Sequence, residues 1–287
     1  MNLSHAKTQR RKGTQSTLLQ ATNITFAVGQ KRLIEDISVA FAPGKLHLVI
    51  GPNGAGKSTL IKVLARLLRP QIGSIEYEGV DVRDAREADL AKHRAVLSQA
   101  IEVAFPLSVR EVVMMGRYPH FGGRPGPLDE QIVDEVMSHF DVTEFSARDY
   151  QTLSGGERQR VNFARVLAQL WRDGNEHRSE NGSSFPTTCR YLFLDEPLTF
   201  LDIRHQIGFM KKVRDFSNQC HVVTVGVVHD LNLAARFADQ IVLLNRGRFV
   251  AAGSPAKVLT PDLIRDAFGV EPSFVSTEHP GLHLIFE

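Results

Sequence analysis

A glycine-rich loop in the first quarter of the chain has residue types and a spacing suited to phosphate binding. The pattern G-x-x-x-x-G-K-[ST] is met by Gly51-Pro52-Asn53-Gly54-Ala55-Gly56-Lys57-Ser58-Thr59. The glycines let the backbone curl so that successive N–H groups point toward phosphate oxygens, and a helix predicted to begin near Lys57 adds its positive dipole end. We expect Lys57 to reach the β- and γ-phosphates and the Ser58 hydroxyl to bind Mg²⁺. The loop therefore predicts binding of a nucleotide together with Mg²⁺.

Two carboxylates stand at the end of an apolar run later in the chain. The run Tyr191 to Leu194 is typical of a buried strand, and Asp195 and Glu196 follow it directly. Taken alone, the pair could be a solvated acidic turn. Because unpaired charge at the end of a buried strand is costly, its presence beside a phosphate loop favours a functional site. We expect Asp195 to hold Mg²⁺ through water and Glu196 to polarise an attacking water.

A third segment resembles a family signature. The octapeptide Leu153-Ser154-Gly155-Gly156-Glu157-Arg158-Gln159-Arg160 is similar to the signature of ABC ATPases, a highly specific sequence among P-loop proteins. Ser154 and Gly155 are predicted to precede a helix from Gly156 to Trp171, so that their N–H groups face a phosphate. In that family the signature binds the γ-phosphate held by the other subunit. The resemblance implies a homodimer in which Ser154, Gly155, Gly156 and Glu157 contact the ATP of the partner.

Three further positions match the family pattern. Gln99 corresponds to the Q-loop glutamine, a ligand of Mg²⁺ and water that couples to the membrane partner. Asp202 matches the end of the D-loop, which crosses the dimer interface. His229 matches the switch histidine that contacts the γ-phosphate; a lone histidine is more often structural, but this one ends a strand and is followed by Asp230, as in the family. The resemblance thus implies that Glu196, His229 and Gln99 are catalytic.

The chain departs from the family pattern in two places. The D-loop, Pro197 to Asp202, lacks the usual Thr-Ser-Ala run, so only Asp202 carries over. The aromatic residue that stacks on adenine is expected just before Gly29, where this chain has Val28. Phe26 lies two residues earlier on the same strand face, so either Phe26 stacks on adenine or no residue does. Phe26 is equally well interpreted as a core residue.

Alternating strands and helices must position these groups. Two stretches, Thr22 to Val28 and Leu33 to Phe41, alternate apolar and polar residues as half-buried antiparallel strands do. Short apolar runs predict buried strands at 46–50, 94–98, 191–194, 221–228 and 240–244, and helical spacing appears at 58–68, 109–115 and 131–140. Strands alternating with helices indicate a parallel sheet with crossovers. The predicted fold is α/β: a P-loop NTPase (ABC ATPase) core with a parallel sheet, an N-terminal antiparallel β subdomain and an inserted helical subdomain.

The domain boundaries follow from the same patterns. Residues 1–17 are expected to form a disordered basic tail, and 18–260 the ATPase domain, with its helical subdomain at about 106–152. Residues 261–287 extend the same domain at its C-terminal end. The polar stretch from Asp173 to Thr188 is predicted to be a surface loop.

Composition narrows the partners and the location. The net charge is +2, from 34 basic and 32 acidic residues, which favours no nucleic-acid partner. No apolar run approaches the roughly 18 residues that a membrane span needs. The two cysteines, Cys189 and Cys220, match no metal or redox spacing. Together with these observations, the resemblance to ABC ATPases implies a peripheral protein at the cytoplasmic face of the bacterial inner membrane.

The helical insertion indicates which ABC ATPases the chain resembles. The stretch Ala104 to His120 is similar to that of the importers for iron chelates, heme and cobalamin, and Glu102 to Pro106 and Leu201 to Gln206 look most like the hemin importers. Val109, Val112 and Val113 are predicted to pack inside the domain; Met114, Met115 and Tyr118 could line a groove for a partner helix or belong to the core.

This resemblance implies two transmembrane permease subunits and a separate solute-binding protein as partners, with hemin as cargo. A siderophore or cobalamin importer is the alternative. A soluble ABC ATPase acting on ribosomes or DNA is the competing class, but such proteins usually carry two ATPase modules or a long coiled coil.

Overall fold

A computed structural model describes residues 19–98, 104–171, 189–199, 201–219, 222–275 and 283–286. In this part of the chain the strands are β1 (Leu19–Val28), β2 (Lys31–Phe41), β3 (Lys45–Ile50), β4 (Ile72–Tyr77), β5 (Val80–Asp81), β6 (Arg94–Leu97), β7 (Arg190–Leu194), β8 (Val222–Val227), β9 (Gln240–Asn245), β10 (Arg248–Gly253), β11 (Pro272–Val275) and β12 (His283–Phe286). The helices are α1 (Lys57–Leu64), α2 (Glu87–His93), α3 (Val109–Met114), α4 (Pro127–His139), α5 (Gly155–Leu170), α6 (Ile203–Gln219), α7 (Leu231–Phe237), α8 (Pro255–Val258) and α9 (Pro261–Phe268).

The predicted buried strands form one sheet. Its strand order is β10-β9-β3-β8-β7-β6, and the pairs among the last five are parallel, whereas β10 runs antiparallel to β9. Since parallel strands end at the same edge of a sheet, the segments that follow β3, β7 and β8 meet there. These segments carry the phosphate loop, the two carboxylates and His229.

The N-terminal strands form a second, antiparallel sheet with the order β2-β1-β4-β5. The antiparallel pairing of β1 with β2 confirms the prediction. We made no prediction for β4, β5 or α2, because their segments are short and weakly periodic. This sheet lies against α1, which follows the phosphate loop, so that it supports the loop from one side.

Alternate residues of the central strands feed two separate cores. Along β7, Leu192 and Leu194 belong to one core with the helical region, while Tyr191 and Phe193 belong to the other with the antiparallel sheet. All four are at most 1% exposed. Burying an apolar side chain of this size contributes about 1.5–3 kcal/mol, so both faces of the sheet are held in place.

Helix α1 is shorter than predicted. The helical spacing indicates a helix to Leu68, but α1 ends at Leu64. Arg66 adopts a left-handed conformation with φ 55°, its N–H donates to the Val63 carbonyl at 3.0 Å, and the N–H of Leu67 donates to the Lys62 carbonyl at 2.8 Å. This pair of bonds is the Schellman arrangement that ends a helix, and apolar periodicity carries no signal for it.

The helical region packs as the sequence indicates. Val109, Val112 and Val113 are fully buried on one face of α3, which confirms the prediction. A buried ion pair, Arg117 Nε to Asp129 Oδ1 at 3.0 Å, ties the turn after α3 to α4. Among the described residues, no helix is long and apolar enough to cross a membrane.

Candidate active site

The shape of the phosphate loop requires glycine at two positions. Gly51 has φ 150°, and a Cβ there would lie 2.1 Å from the Leu244 carbonyl oxygen. Gly56 has φ 92° and stands at the N-terminal end of α1 with no side chain capping the helix. The first N–H groups of α1 are therefore left for an external anion, as a phosphate site requires.

The ammonium of Lys57 is held inside the loop. Lys57 is only 5% exposed, and its Nζ donates to the carbonyls of Gly51 at 2.8 Å and Pro52 at 3.0 Å. Burial lowers the pKa of Lys57, while the charges of Glu196 and Asp195 oppose that shift. The cation thus lies near both strand-end carboxylates.

Glu196 and His229 are brought into direct contact. Nε2 of His229 lies 3.0 Å from Oε1 of Glu196, because β7 and β8 are neighbours and end at the same edge. Glu196 has a left-handed backbone with φ 53°, which costs on the order of 1 kcal/mol for a residue with a side chain. The Thr199 hydroxyl donates to the Glu196 carbonyl at 3.1 Å and helps to hold this conformation. A strained carboxylate paired with a histidine at a cleft is typical of a catalytic position.

Asp195 has a buried carboxylate oxygen available for a cation. The residue is 8% exposed, and its Oδ1 has no hydrogen-bond partner among the described residues. Its backbone N–H donates to the Leu97 carbonyl at 2.8 Å, which fixes it beside β6. Ser58 lies half-buried in the first turn of α1 and adds a hydroxyl oxygen. Oxygen donors with one carboxylate suit Mg²⁺, which is usually bound by few protein groups together with phosphates, so these residues fit that ion.

A cleft of about 420 Å³ collects these groups. Its described lining consists of Lys31, Arg32, Leu33, residues 53–59, Glu196, His229, Arg246 and Gly247. Gly51, Pro52 and Asp195 are not part of this lining. The first two hold Lys57 through their carbonyls, and Asp195 acts on its charge.

Three basic residues of the cleft were missed by the sequence analysis. Lys31 and Arg32 begin β2, and Arg246 lies in the turn between β9 and β10. The turns themselves carry sequence signals, Gly29-Gln30 and Arg246-Gly247, but nothing local says that both turns approach the phosphate loop.

Phe26, the candidate for adenine stacking, does not line the cleft, and neither does Val28 at the family position. Phe26 is half-buried and packs against the core beneath the antiparallel sheet. Val28 is 61% exposed. Gln99 and the tail, 1–17, lie outside the described residues, as do Asp173 to Thr188, Phe200 and Cys220.

The signature residues do not line the cleft of their own chain. Ser154 caps α5, its hydroxyl accepting from the N–H of Glu157 at 3.3 Å while Glu157 accepts from the N–H of Ser154 at 2.7 Å. This reciprocal pair holds the pKa of Glu157 below its usual range and places Gly155 in the first turn, so the prediction that α5 starts at Gly156 is wrong by one residue. Asp202 is also outside the cleft, where it accepts from the N–H of His205 at 2.9 Å and caps α6.

The chain is similar to known proteins both in sequence and in fold. Residues 34–171 match the family model described as ABC transporter. The chain is 42% identical to the hemin import ATP-binding protein HmuV of Gloeobacter violaceus over 92% of this chain and 91% of that one. It is 38% identical to HmuV of Escherichia coli O157:H7 over 88% and 93%. Among solved structures, it superposes on an inward-facing metal-chelate type ABC transporter with a TM-score of 0.76 at 23% identity, covering 94% of this chain and 97% of that one.

Proposed function

The chain belongs to the ABC transporter ATP-binding family, and on that premise we propose that it is the ATP-hydrolysing subunit of a hemin importer. The observation that carries the proposal is the pairing of Glu196 with His229 at 3.0 Å in the cleft that also contains Lys57. This arrangement supplies a base, a group that orients it and a cation for the developing phosphate charge. Positioning of the attacking water and neutralisation of phosphate charge are what phosphoryl transfer to water requires of a protein.

In the proposed reaction, Lys57 and the N–H groups at the start of α1 bind the β- and γ-phosphates. Glu196 accepts a hydrogen bond from the attacking water and takes its proton as the bond from the water oxygen to phosphorus forms. The bond from phosphorus to the leaving oxygen of ADP breaks in the same displacement. His229 holds Glu196 in place and contacts the transferred phosphate. When bound by Ser58 and Asp195, Mg²⁺ neutralises phosphate charge; Gln99 is proposed as a further ligand.

A homodimer completes the proposed site. Ser154, Gly155, Gly156 and Glu157 form an exposed or half-buried helix start outside their own cleft, with N–H groups suited to an anion. Placed against a second copy, they supply donors to the γ-phosphate that the partner's loop holds. Asp202, which is exposed, is proposed to cross the same interface.

Coupling to a membrane is proposed to run through two permease subunits, with a separate solute-binding protein delivering the cargo. Tyr118 is 60% exposed and Met114 and Met115 are half-buried, so this short segment combines exposed and partly buried apolar surface suited to a partner helix. The chain is then peripheral, on the cytoplasmic side of the membrane. We propose hemin as the cargo because the curated relatives described above are named for hemin import.

A reconstitution with the permease and binding protein encoded beside the chain tests this function. Heme-loaded binding protein should stimulate ATP hydrolysis, whereas siderophore-loaded or cobalamin-loaded protein should not. Glu196→Gln in the same vesicles provides the control for hydrolysis by contaminants. Stimulation by another cargo but not by heme would overturn the hemin assignment, and absence of ATP hydrolysis in every arm would overturn the motor assignment.

A further inference from the structure

The wall of the cleft beside the phosphate loop is built from two turns that lie far apart in the sequence. The Gly247 N–H donates to the Ala55 carbonyl at 3.2 Å, and the Glu35 N–H donates to the Gly247 carbonyl at 2.8 Å. A Cβ on Gly56 would lie 2.6 Å from the Leu33 carbonyl oxygen and 3.6 Å from the Gly247 Cα. The start of β2 and the turn after β9 are therefore fixed directly against the loop that binds phosphate.

These two turns contribute three side chains with hydrogen-bonding groups to the cleft, and all three are cationic. They are Lys31, Arg32 and Arg246. Arg32 is paired with Glu35, which also accepts from Arg248 at 2.8 Å, and the two guanidinium groups hold the pKa of Glu35 below its usual range. Lys31 and Arg246 have no acidic partner in the described part of the chain. Their donors are available to a ligand in the cleft.

In the described lining of the cleft, the two turns contribute no aromatic side chain. A base bound here therefore meets a guanidinium or ammonium group rather than an aromatic ring. Guanidinium groups stack on the flat face of a nucleobase through cation–π attraction, and they donate in pairs to adjacent acceptors.

The hydrogen-bonding pattern of the purines decides which base such a wall accepts. Guanine and hypoxanthine present two adjacent acceptors, O6 and N7, which match the paired donors of arginine, whereas adenine presents an amino donor at position 6. We propose that this cleft binds 6-oxopurine nucleotides, GTP and ITP, at least as tightly as ATP, with Arg246 as the residue that sets the preference. The proposal rests on the proposed nucleotide site.

Equilibrium binding separates base preference from turnover. We expect Mg²⁺ complexes of GTP and ITP to bind Glu196→Gln with dissociation constants equal to or lower than that of ATP. ITP differs from ATP at position 6 and lacks the 2-amino group of guanine, so it isolates the oxygen. Adding Arg246→Ala to the Glu196→Gln variant should weaken the binding of GTP and ITP by about tenfold and the binding of ATP by less than about threefold.

The matched control is Arg248→Ala, which removes an arginine two positions along the same hairpin that does not line the cleft. It should leave the order of the three affinities unchanged. Tighter binding of ATP than of GTP and ITP, or equal weakening of the binding of all three by Arg246→Ala, would overturn the proposal. If the three nucleotides bind in the predicted order but the unmodified chain hydrolyses none of them, the base preference is supported and the proposed motor is overturned. A folded chain that binds none of the three would overturn both.

Discussion

His47 is expected to make the protein sensitive to mild acid. It lies on β3, directly before the phosphate loop, and is fully buried. Its Nε2 lies 3.0 Å from the Ala42 carbonyl oxygen, to which the protonated nitrogen donates, and 3.2 Å from the Ala42 backbone nitrogen, whereas its Nδ1 is buried with no hydrogen-bond partner among the described residues. Charging this ring would therefore place a cation in the core with the Nδ1–H group lacking an acceptor.

The size and sign of the effect follow from the pKa of His47. Burial lowers it from 6.5 to about 4, against the smaller opposing effects of the Ala42 hydrogen bond and the charge of Asp239. Between these two values the unfolded chain binds more protons than the folded one, so the free energy of unfolding is fully retained above pH 6.5 and falls as the pH drops toward 4. At 1.36 kcal/mol for each pH unit, His47 accounts for a loss of about 2 kcal/mol between pH 8 and pH 5.

Urea unfolding of the unmodified chain and of His47→Gln at pH 8 and pH 5 measures this contribution. Fluorescence of Trp171, the single tryptophan of the chain, reports unfolding. His47→Gln is expected to change the free energy of unfolding at pH 8 because it alters packing. The loss of unfolding free energy between pH 8 and pH 5 should be about 2 kcal/mol smaller in this variant than in the unmodified chain, because glutamine does not titrate. Equal losses in the unmodified chain and His47→Gln would refute the reasoning.

Four further substitutions test the proposed site. Lys57→Ala removes the cation that the loop holds and should lower phosphate release by more than about 100-fold; near-normal release would rule out its role. Glu196→Gln should slow turnover by about 10²–10⁴-fold yet bind Mg-ATP and accumulate as a dimer in size-exclusion chromatography. A monomer under those conditions, or normal turnover, would contradict the assignment. Ser154→Arg should bind nucleotide but hydrolyse it poorly, and full activity would make the signature purely structural. Gly51→Ala should lower the melting temperature measured by circular dichroism, since its Cβ would lie 2.1 Å from a carbonyl oxygen, and an unchanged value would disprove the constraint.

Much of the site was predictable because its signals are local. The loop of residues 51–59 has glycines, which let the backbone curl, and a lysine, which binds phosphate charge, at the spacing typical of a phosphate-binding loop. Ser154 and Glu157 are the first and last of the four positions of one capping box, and their reciprocal bonds need no distant partner. The role of Gln99 and the boundaries of the domain stay predictions. The end of α1 at Leu64 was not predictable, since it depends on the left-handed backbone of Arg66.

By itself, the sequence determined which groups are present and which strand or helix end carries each one. Glycine, lysine and carboxylate have their chemistry wherever they lie, and the periods of 2 and 3.6 residues identify buried faces. Only the tertiary structure decided which ends meet. Periodicity says that a strand is buried, but the neighbour of a strand is set by packing both faces of the whole sheet, and this packing places Glu196 beside His229. The cationic wall has the same origin. Lys31 and Arg246 line one cleft because the turn after β9 is hydrogen-bonded to the phosphate loop and β2 is hydrogen-bonded to that turn, and these contacts exist only after the two sheets have packed around α1.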